Sequence, residues 1–310
     1  MSYSGELKKD FQRHIEKHYS KQHVDAALGQ FLQQHYSSVI NQAAEYFQLW
    51  LDDVANNCKS PEKVNRVSFL NSFDLHELAL KLLCNACYVT KPQLFTSVTA
   101  QGAAILNFSD KSEAIQTVAE LYAVLAHTNA IQIYKPDVYA SMQVLSNIQL
   151  SEELLTDMSN THFVPPMVCP PKQLIKNTDS PYLTISDKLI LGRGNSHNGC
   201  ISLDVLNKLN SVELSLNTQF LSSVEEVPTK EWETPEQQEN WDTFKAQSYE
   251  LYSLVANQYG NKFFLTNSVD KRGRIYARGY HITTQGTSFK KSMVEFSNKE
   301  PVTGLEHLGH

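Results

Sequence analysis

The sequence predicts a mainly α protein with a small β component. Three observations predict it. Apolar residues recur every three or four positions through the first half, clear helix punctuation brackets a long segment after residue 234, and period-two alternation is confined to short stretches late in the chain. At 310 residues and 41% hydrophobic, the chain has room for one large or two modest domains with a real core. Three segments are expected: a helical amino-terminal domain over 1–164, a proline-pair segment with a strand pair and long core helices over 165–260, and a β-hairpin region over 261–310.

Taken in order, Leu75, Leu78, Ala79, Leu82 and Leu83 form a helical stripe, and Ile115, Val118, Tyr122 and Leu125 form another behind Ser112, the expected cap. Between Leu125 and Pro136 the helical pattern breaks, leaving room for a turn and one short strand. Pro165, Pro166, Pro170 and Pro171 stop regular structure and mark a boundary. The run YLTISDKLILGRG reads as a strand pair ending in a loop whose glycines, at 192, 194 and 199, are wrongly spaced for a dinucleotide fingerprint. A helix is expected from about Ile201 to Leu221, with Leu209, Val212, Leu216 and Phe220 on one face. The next helix has Thr234 as cap, Pro235 at its first position and Gly260 past its end, and should bury Trp241, Phe244, Leu251, Val255 and Tyr259.

Composition narrows the function classes. The charged opening MSYSGELKKDFQRHIEKHYSK is unlike a secretory signal, and the apolar runs are too short to span a membrane, so a soluble globular protein is expected. Five irregularly spaced cysteines suit reduced thiols in a cytoplasm. Cys84 and Cys87 form a CxxC inside an apolar helical run with no second pair, which favours a core role over zinc or redox chemistry; His14 and His18 share a polar helical face. A formal charge of −6 argues against nucleic acid, but the average hides an asymmetry. From Lys262 to Lys299, Lys262, Lys271, Arg272, Arg274, Arg278, Lys290, Lys291 and Lys299 face only Asp270 and Glu295, a local +6 against −12 elsewhere.

That basic segment is the informative one. Phe263–Leu265 should enter as a strand, 270–273 should turn, and Arg274–Arg278 should leave as a strand. Alternation then puts Arg274, Tyr276 and Arg278 on one face and Ile275 and Ala277 on the other. Guanidinium forks suit phosphate oxygens and an aromatic ring can stack on a base, so such a face suits nucleic acid. Gly273 permits positive φ or close approach of a ligand, and Asp270 either holds an arginine or stabilises the turn. An exposed basic hairpin closed by a salt bridge fits the same residue types. Downstream, Ser288 is the expected cap of a helix with Phe289, Met293 and Phe296 inward, and Lys290 and Lys291 fall in its first turn, where an anion would offset their placement.

At these residues the sequence resembles the phage and mitochondrial single-subunit DNA-directed RNA polymerases, which carry an Asp/Thr-x-x-Gly-Arg motif followed by an aromatic residue. The matches are Asp270, Gly273, Arg274 and Tyr276, then Gln285-Gly286, Lys291 and VEFSNKEPVTG. Two further segments fall in family order: PMVCPPK (166–172) and LNKLNSVELSLNTQFL (206–221). The resemblance covers roughly the second half of the chain. Leu214 stands where the family usually has Trp, and one inserted residue between Tyr276 and Gln285 loosens the match at Lys291.

The resemblance implies a palm/thumb core that another chain completes, because this chain stops at Gly304–His310, about where family members enter the palm. The family's two metal-binding aspartates, its triphosphate-contacting lysine and its sugar-checking tyrosine lie beyond that point. No catalytic residue is therefore expected in this chain. By resemblance it is the smaller, amino-terminal subunit of a split, heterodimeric bacteriophage RNA polymerase, inactive alone; a truncated gene or cleavage product would read the same way. Mg2+ would be bound mainly by the carboxyl-terminal partner. The implied nucleic-acid contacts are Asp270, Arg272, Gly273, Arg274, Tyr276, Arg278, Lys290 and Lys291. The expected ligands are template DNA, nascent RNA and nucleoside triphosphates, in the cytoplasm of an infected bacterium. Reduced strand separation is also expected, with a single-stranded-DNA-binding or promoter-opening accessory factor as a further partner. The alternative is a non-enzymatic nucleic-acid-binding or regulatory module using the same basic face.

Overall fold

The computed structural model describes residues 2–138, 140–161, 163–192, 194–228 and 230–299. It is mainly helical, 54% helix against 9% strand, in agreement with the expected class. In chain order the elements are α1 (Ser2–Tyr19), α2 (Lys21–His35), α3 (Ser37–Asn57), α4 (Pro61–Ser68), α5 (Leu75–Cys87), β1 (Gln93–Leu94), α6 (Phe95–Gly102), α7 (Lys111–Leu125), β2 (Ile131–Tyr134), β3 (Gln143–Ser146), α8 (Glu152–Asn160), α9 (Leu203–Asn210), β4 (Leu214–Leu216), α10 (Thr218–Ser223), α11 (Pro235–Asn257), β5 (Asn267–Val269), β6 (Ile275–Ala277), α12 (Ser288–Ser292) and β7 (Val294–Phe296). No described helix is long and apolar enough to cross a membrane.

The chain divides into two compact units, one of residues 24–159 and one of residues 1–23 with 160–310. The first is a helical body with one small antiparallel sheet in the order β1-β3-β2. Its core is built from the helical stripes, with Phe47, Leu78, Leu82, Leu83, Leu121, Tyr122 and Leu125 all fully buried. Asp110, not Ser112, caps α7: its carboxylate accepts from the Ser112 and Glu113 amides, and the helix starts one residue before the expected cap. Cys87 lies in this core, and burial pushes its thiol up to about 12, which fits a packing role for the CxxC. Arg66, almost buried, binds the Thr117 hydroxyl and Glu120, so its charge is compensated inside the unit. β2 occupies the break after Leu125 as expected, but it pairs with β3, which the sequence did not announce.

The second unit is discontinuous in sequence. The first 23 residues, expected within the helical amino-terminal domain, cluster instead with 160–310. The reason is one face of α1. Ile15 packs with Val168, Phe263 and Tyr259, the Gln12 side-chain Oε1 accepts from the Val168 amide, and the fully buried Glu16 carboxylate accepts from the amides of Leu183 and Thr184 and from the Thr184 hydroxyl.

The helix expected over Ile201–Leu221 is three elements: α9, β4 and α10. Leu-Ser-Leu of β4 is buried throughout and pairs antiparallel with β7, while Leu214 also exchanges backbone hydrogen bonds with Phe263. Those non-local bonds displace the helix, Asn217 caps α10 on the far side, and Leu209 is left exposed. The expected strand pair around 182–190 is also absent. Those residues form a looping segment joined to β5 where Val269 bonds to Leu189 and Leu191. α11 begins as read, with the Thr234 hydroxyl accepting from the Gln237 amide and Pro235 first. Its buried residues are Ser248, Tyr252 and Val255, with Trp241, Phe244 and Leu251 only partly covered.

Candidate nucleic-acid interface

The hairpin forms where expected, shifted by a few residues. Phe263 and Phe264 make single bridges to Leu214 and Met167, and the ladder proper is β5 with β6, Asn267 opposite Ala277 and Val269 opposite Ile275. Its loop explains the spacing of the motif. The Asp270 amide donates to the Arg274 carbonyl and the Gly273 amide to the Asp270 carbonyl, so three residues close the turn. Gly273 sits at φ +82, the left-handed position that ends this type of loop. A Cβ there would meet nothing within 4 Å, so glycine is required by the backbone and not by crowding.

Asp270 does both jobs left open by the sequence. Its Oδ1 accepts from the amides of Arg272 (2.8 Å) and Arg274 (3.0 Å), and Oδ2 accepts from Arg274 Nε at 2.7 Å. Partial burial would raise this carboxyl, but the hydrogen bonds from the Arg274 amide and side chain and from the Arg272 amide outweigh it and bring it down to about 2. Both oxygens are committed, so Asp270 does not fit a magnesium ligand. The tethered Arg274 guanidinium stays 61% exposed and lies 5.9 Å from the centroid of the Tyr276 ring, on the same strand face as alternation requires. It is a pre-oriented, accessible fork beside an aromatic ring, suited to a phosphate oxygen and a neighbouring base.

The other candidates diverge from this picture. Arg278 is turned to Asp187, whose two oxygens it binds through one nitrogen at 2.9 and 2.7 Å. Lys290 reaches inward: Nζ donates to the Tyr280 carbonyl at 2.6 Å and lies 5.0 Å from the centroids of Phe244 and Tyr280. Burial lowers its pKa, against an opposing pull from Glu226. Lys290 falls in the first turn of α12 as expected, but its ammonium is directed to the Tyr280 carbonyl and the two rings. Thr287, not Ser288, caps α12 by accepting from the Lys290 amide, and Phe296, expected inward, is exposed on β7.

Lys262 pairs with Glu213 and Lys299 with Glu295. Among the described residues Lys271, Arg272 and Lys291 make no ion pair, and all three are exposed. The local excess of +6 is thus partly cancelled by Asp187 and Glu213, acids from distant sequence. The structure brings Asp270, Arg272, Gly273, Arg274 and Tyr276 together in one hairpin and leaves Arg278, Lys290 and Lys291 elsewhere. Residues from 300 on, including the end of VEFSNKEPVTG and the expected start of a palm, lie outside the described residues.

Sequence reasoning missed Asp187, a lone acid in a loop, and Gln285 as a structural clasp. The Gln285 side chain accepts from the Ala277 amide and donates to the Ile275 carbonyl, capping the free edge of β6. No local signal marks either residue. No protein-family model matches the sequence, and no curated protein matches it.

Proposed function

We propose that residues 1–310 form the amino-terminal part of a DNA-directed RNA polymerase of the single-subunit type, gripping template or RNA–DNA hybrid through Arg274. A partner polypeptide supplies the two-metal centre, nucleoside triphosphate binding and the rest of the palm. What supports the reading is convergence. The three segments that carry the resemblance, far apart in sequence, meet around the hairpin: Met167 exchanges backbone hydrogen bonds with Phe264, the Asn210 side chain accepts from the Asn267 amide at 2.8 Å, and β4 pairs with β7. In this reading Tyr276 supports the guanidinium, Arg272 and Lys271 add phosphate contacts at the turn, and Asp270 and Gly273 set the loop that aims Arg274. Arg278 serves the scaffold through Asp187.

The test is reconstitution with a polypeptide carrying the palm, followed by primed RNA synthesis on single-stranded DNA. Arg274→Ala is expected to reduce synthesis at least tenfold, with Arg274→Lys recovering only part of it because the bidentate fork is lost. Unchanged synthesis by Arg274→Ala removes the assigned role. A second reading has its own observation: the ladder, the turn and the Gln285 clasp of the hairpin are bonds between residues of 267–285, and its outer strand is held to Asn210, Leu189 and Leu191 of the same chain. A non-enzymatic nucleic-acid-binding module predicts salt-sensitive binding by the monodisperse chain with no polymerase activity under any reconstitution.

A further inference from the structure

A pocket of about 450 Å³ opens in the second unit between α11 and the segment 279–290, away from the Asp270–Arg274 turn. Its walls are aromatic. Trp241 and Phe244 come from successive turns of α11 with ring centroids 5.4 Å apart, and Tyr280 stands edge-on to Phe244 at 5.5 Å. Phe163 stacks flat on Tyr280, 3.4 Å between centroids and 6° between planes, so Tyr280 is held in place although it remains 43% exposed. Gly279, before it, admits no side chain, because a Cβ would overlap the Ile282 carbonyl. The pocket wall is a fixed surface and not a mobile ring on a loop.

Two charged groups line the same space. Glu226 is only 7% exposed, yet among the described residues it accepts no hydrogen bond and makes no ion pair. Burial raises its pKa and the charge of Lys290 opposes that rise, while its carboxylate oxygens keep contact with the solvent of the pocket they line. Lys290 is spread over the two rings and bound to a carbonyl, so it offers its remaining protons into the pocket. A cationic ligand would meet Lys290, and a phosphate would meet Glu226. A neutral planar ligand with adjacent donors on one side and acceptors on another satisfies both groups while stacking on Trp241.

We propose that this pocket binds an unpaired guanine base: Glu226 accepts from N1–H and the exocyclic N2 amine, Lys290 donates to O6 or N7, and Trp241 provides the stacking surface. Guanine is the one standard base with two neighbouring donors for a single carboxylate. Aromatic stacking supplies affinity for any base, and the buried acceptor supplies the choice. The proposal does not rest on the polymerase reading, because it uses neither Arg274 nor the Asp270–Gly273 turn that holds it.

The experiment is titration of the purified chain with GMP, IMP, AMP, CMP and UMP, followed by tryptophan fluorescence and calorimetry, and with single-stranded hexanucleotides containing one G or none. GMP is expected to bind at least tenfold more tightly than AMP, CMP or UMP, and IMP, which lacks the N2 amine, about tenfold more weakly than GMP. Glu226→Gln should abolish the preference and Trp241→Ala should weaken every ligand. The IMP comparison uses the unaltered protein and holds even where a variant does not fold. Binding of GMP alone identifies the source as free nucleotide; binding only of G-containing hexamers identifies a strand. Equal affinity for all bases, equal affinity for GMP and IMP, or no binding by either source overturns the proposal. None of these readouts involves RNA synthesis, so the outcome is separate from that of the Arg274 experiment.

Discussion

His281 should report the burial of this region as an acid-sensitive fold. Its ring is 5% exposed, packed against Phe244 at 5.1 Å and Tyr280 at 4.9 Å, with Nδ1 2.7 Å from Ser248 Oγ. The Ser248 hydroxyl already donates to the Phe244 carbonyl, so it accepts from His281, and Nδ1 carries the proton of the neutral ring. Charging the ring would place a second proton in an apolar cage near Lys290, and burial first, then that ammonium, lower the pKa from 6.5 to about 4. The unfolded chain takes up the proton more readily, so stability is complete above pH 6.5, falls as the pH drops towards about 4, and is insensitive to this residue below that. At 1.36 kcal/mol per pKa unit the loss across the window is about 3 kcal/mol. Ring-carbon NMR should give a His281 midpoint near 4, and urea unfolding at pH 7.5 and pH 4 should show His281→Asn gaining about 3 kcal/mol on the wild type as the pH falls. A midpoint above 6, or a constant difference between the two proteins, refutes the reasoning.

Two further substitutions test the scaffold. Gly273→Ala should cost about 1–2 kcal/mol, purely from forcing a side chain into φ +82, and Gly273→Asn less; thermal unfolding measures both. Glu16→Ala should cost about 1–3 kcal/mol, because it leaves the partly buried amides of Leu183 and Thr184 without their acceptor, and hydrogen exchange at those two amides should accelerate well before global unfolding.

The elements that were legible in the sequence are those closed by local bonds. Thr234, Pro235 and Gly260 bracket α11 because capping and positive φ are one-turn effects, and Asp270-x-x-Gly273-Arg274 declares its loop because every bond that closes it spans four residues or fewer. What failed depended on distant partners. Leu214–Leu216 has helical neighbours on both sides and becomes a strand because Val294–Phe296 and Phe263 lie beside it. Arg278 reads as a free guanidinium until Asp187, 91 residues away, is brought to it. Glu16 looks like an ordinary polar position on a charged helix, and nothing within α1 shows that the 181–184 loop will bury it. Lys290 looks surface-exposed for the same reason: its aromatic cage comes from α11 and Tyr280.

The discontinuity of the second unit sets an order of events during synthesis. Glu16 waits for Thr184, 168 residues later, and at roughly 5–20 residues per second that is a delay on the order of ten to thirty seconds. The unit of residues 24–159 is synthesised in full within that interval. α1 meanwhile presents Phe11, Ile15 and Tyr19 with nothing of their own core to cover them. α1 is made before that unit and placed after it, so a ribosome-bound chain stalled once residues 24–159 have emerged should carry one folded body and one exposed, chaperone-binding amphipathic helix.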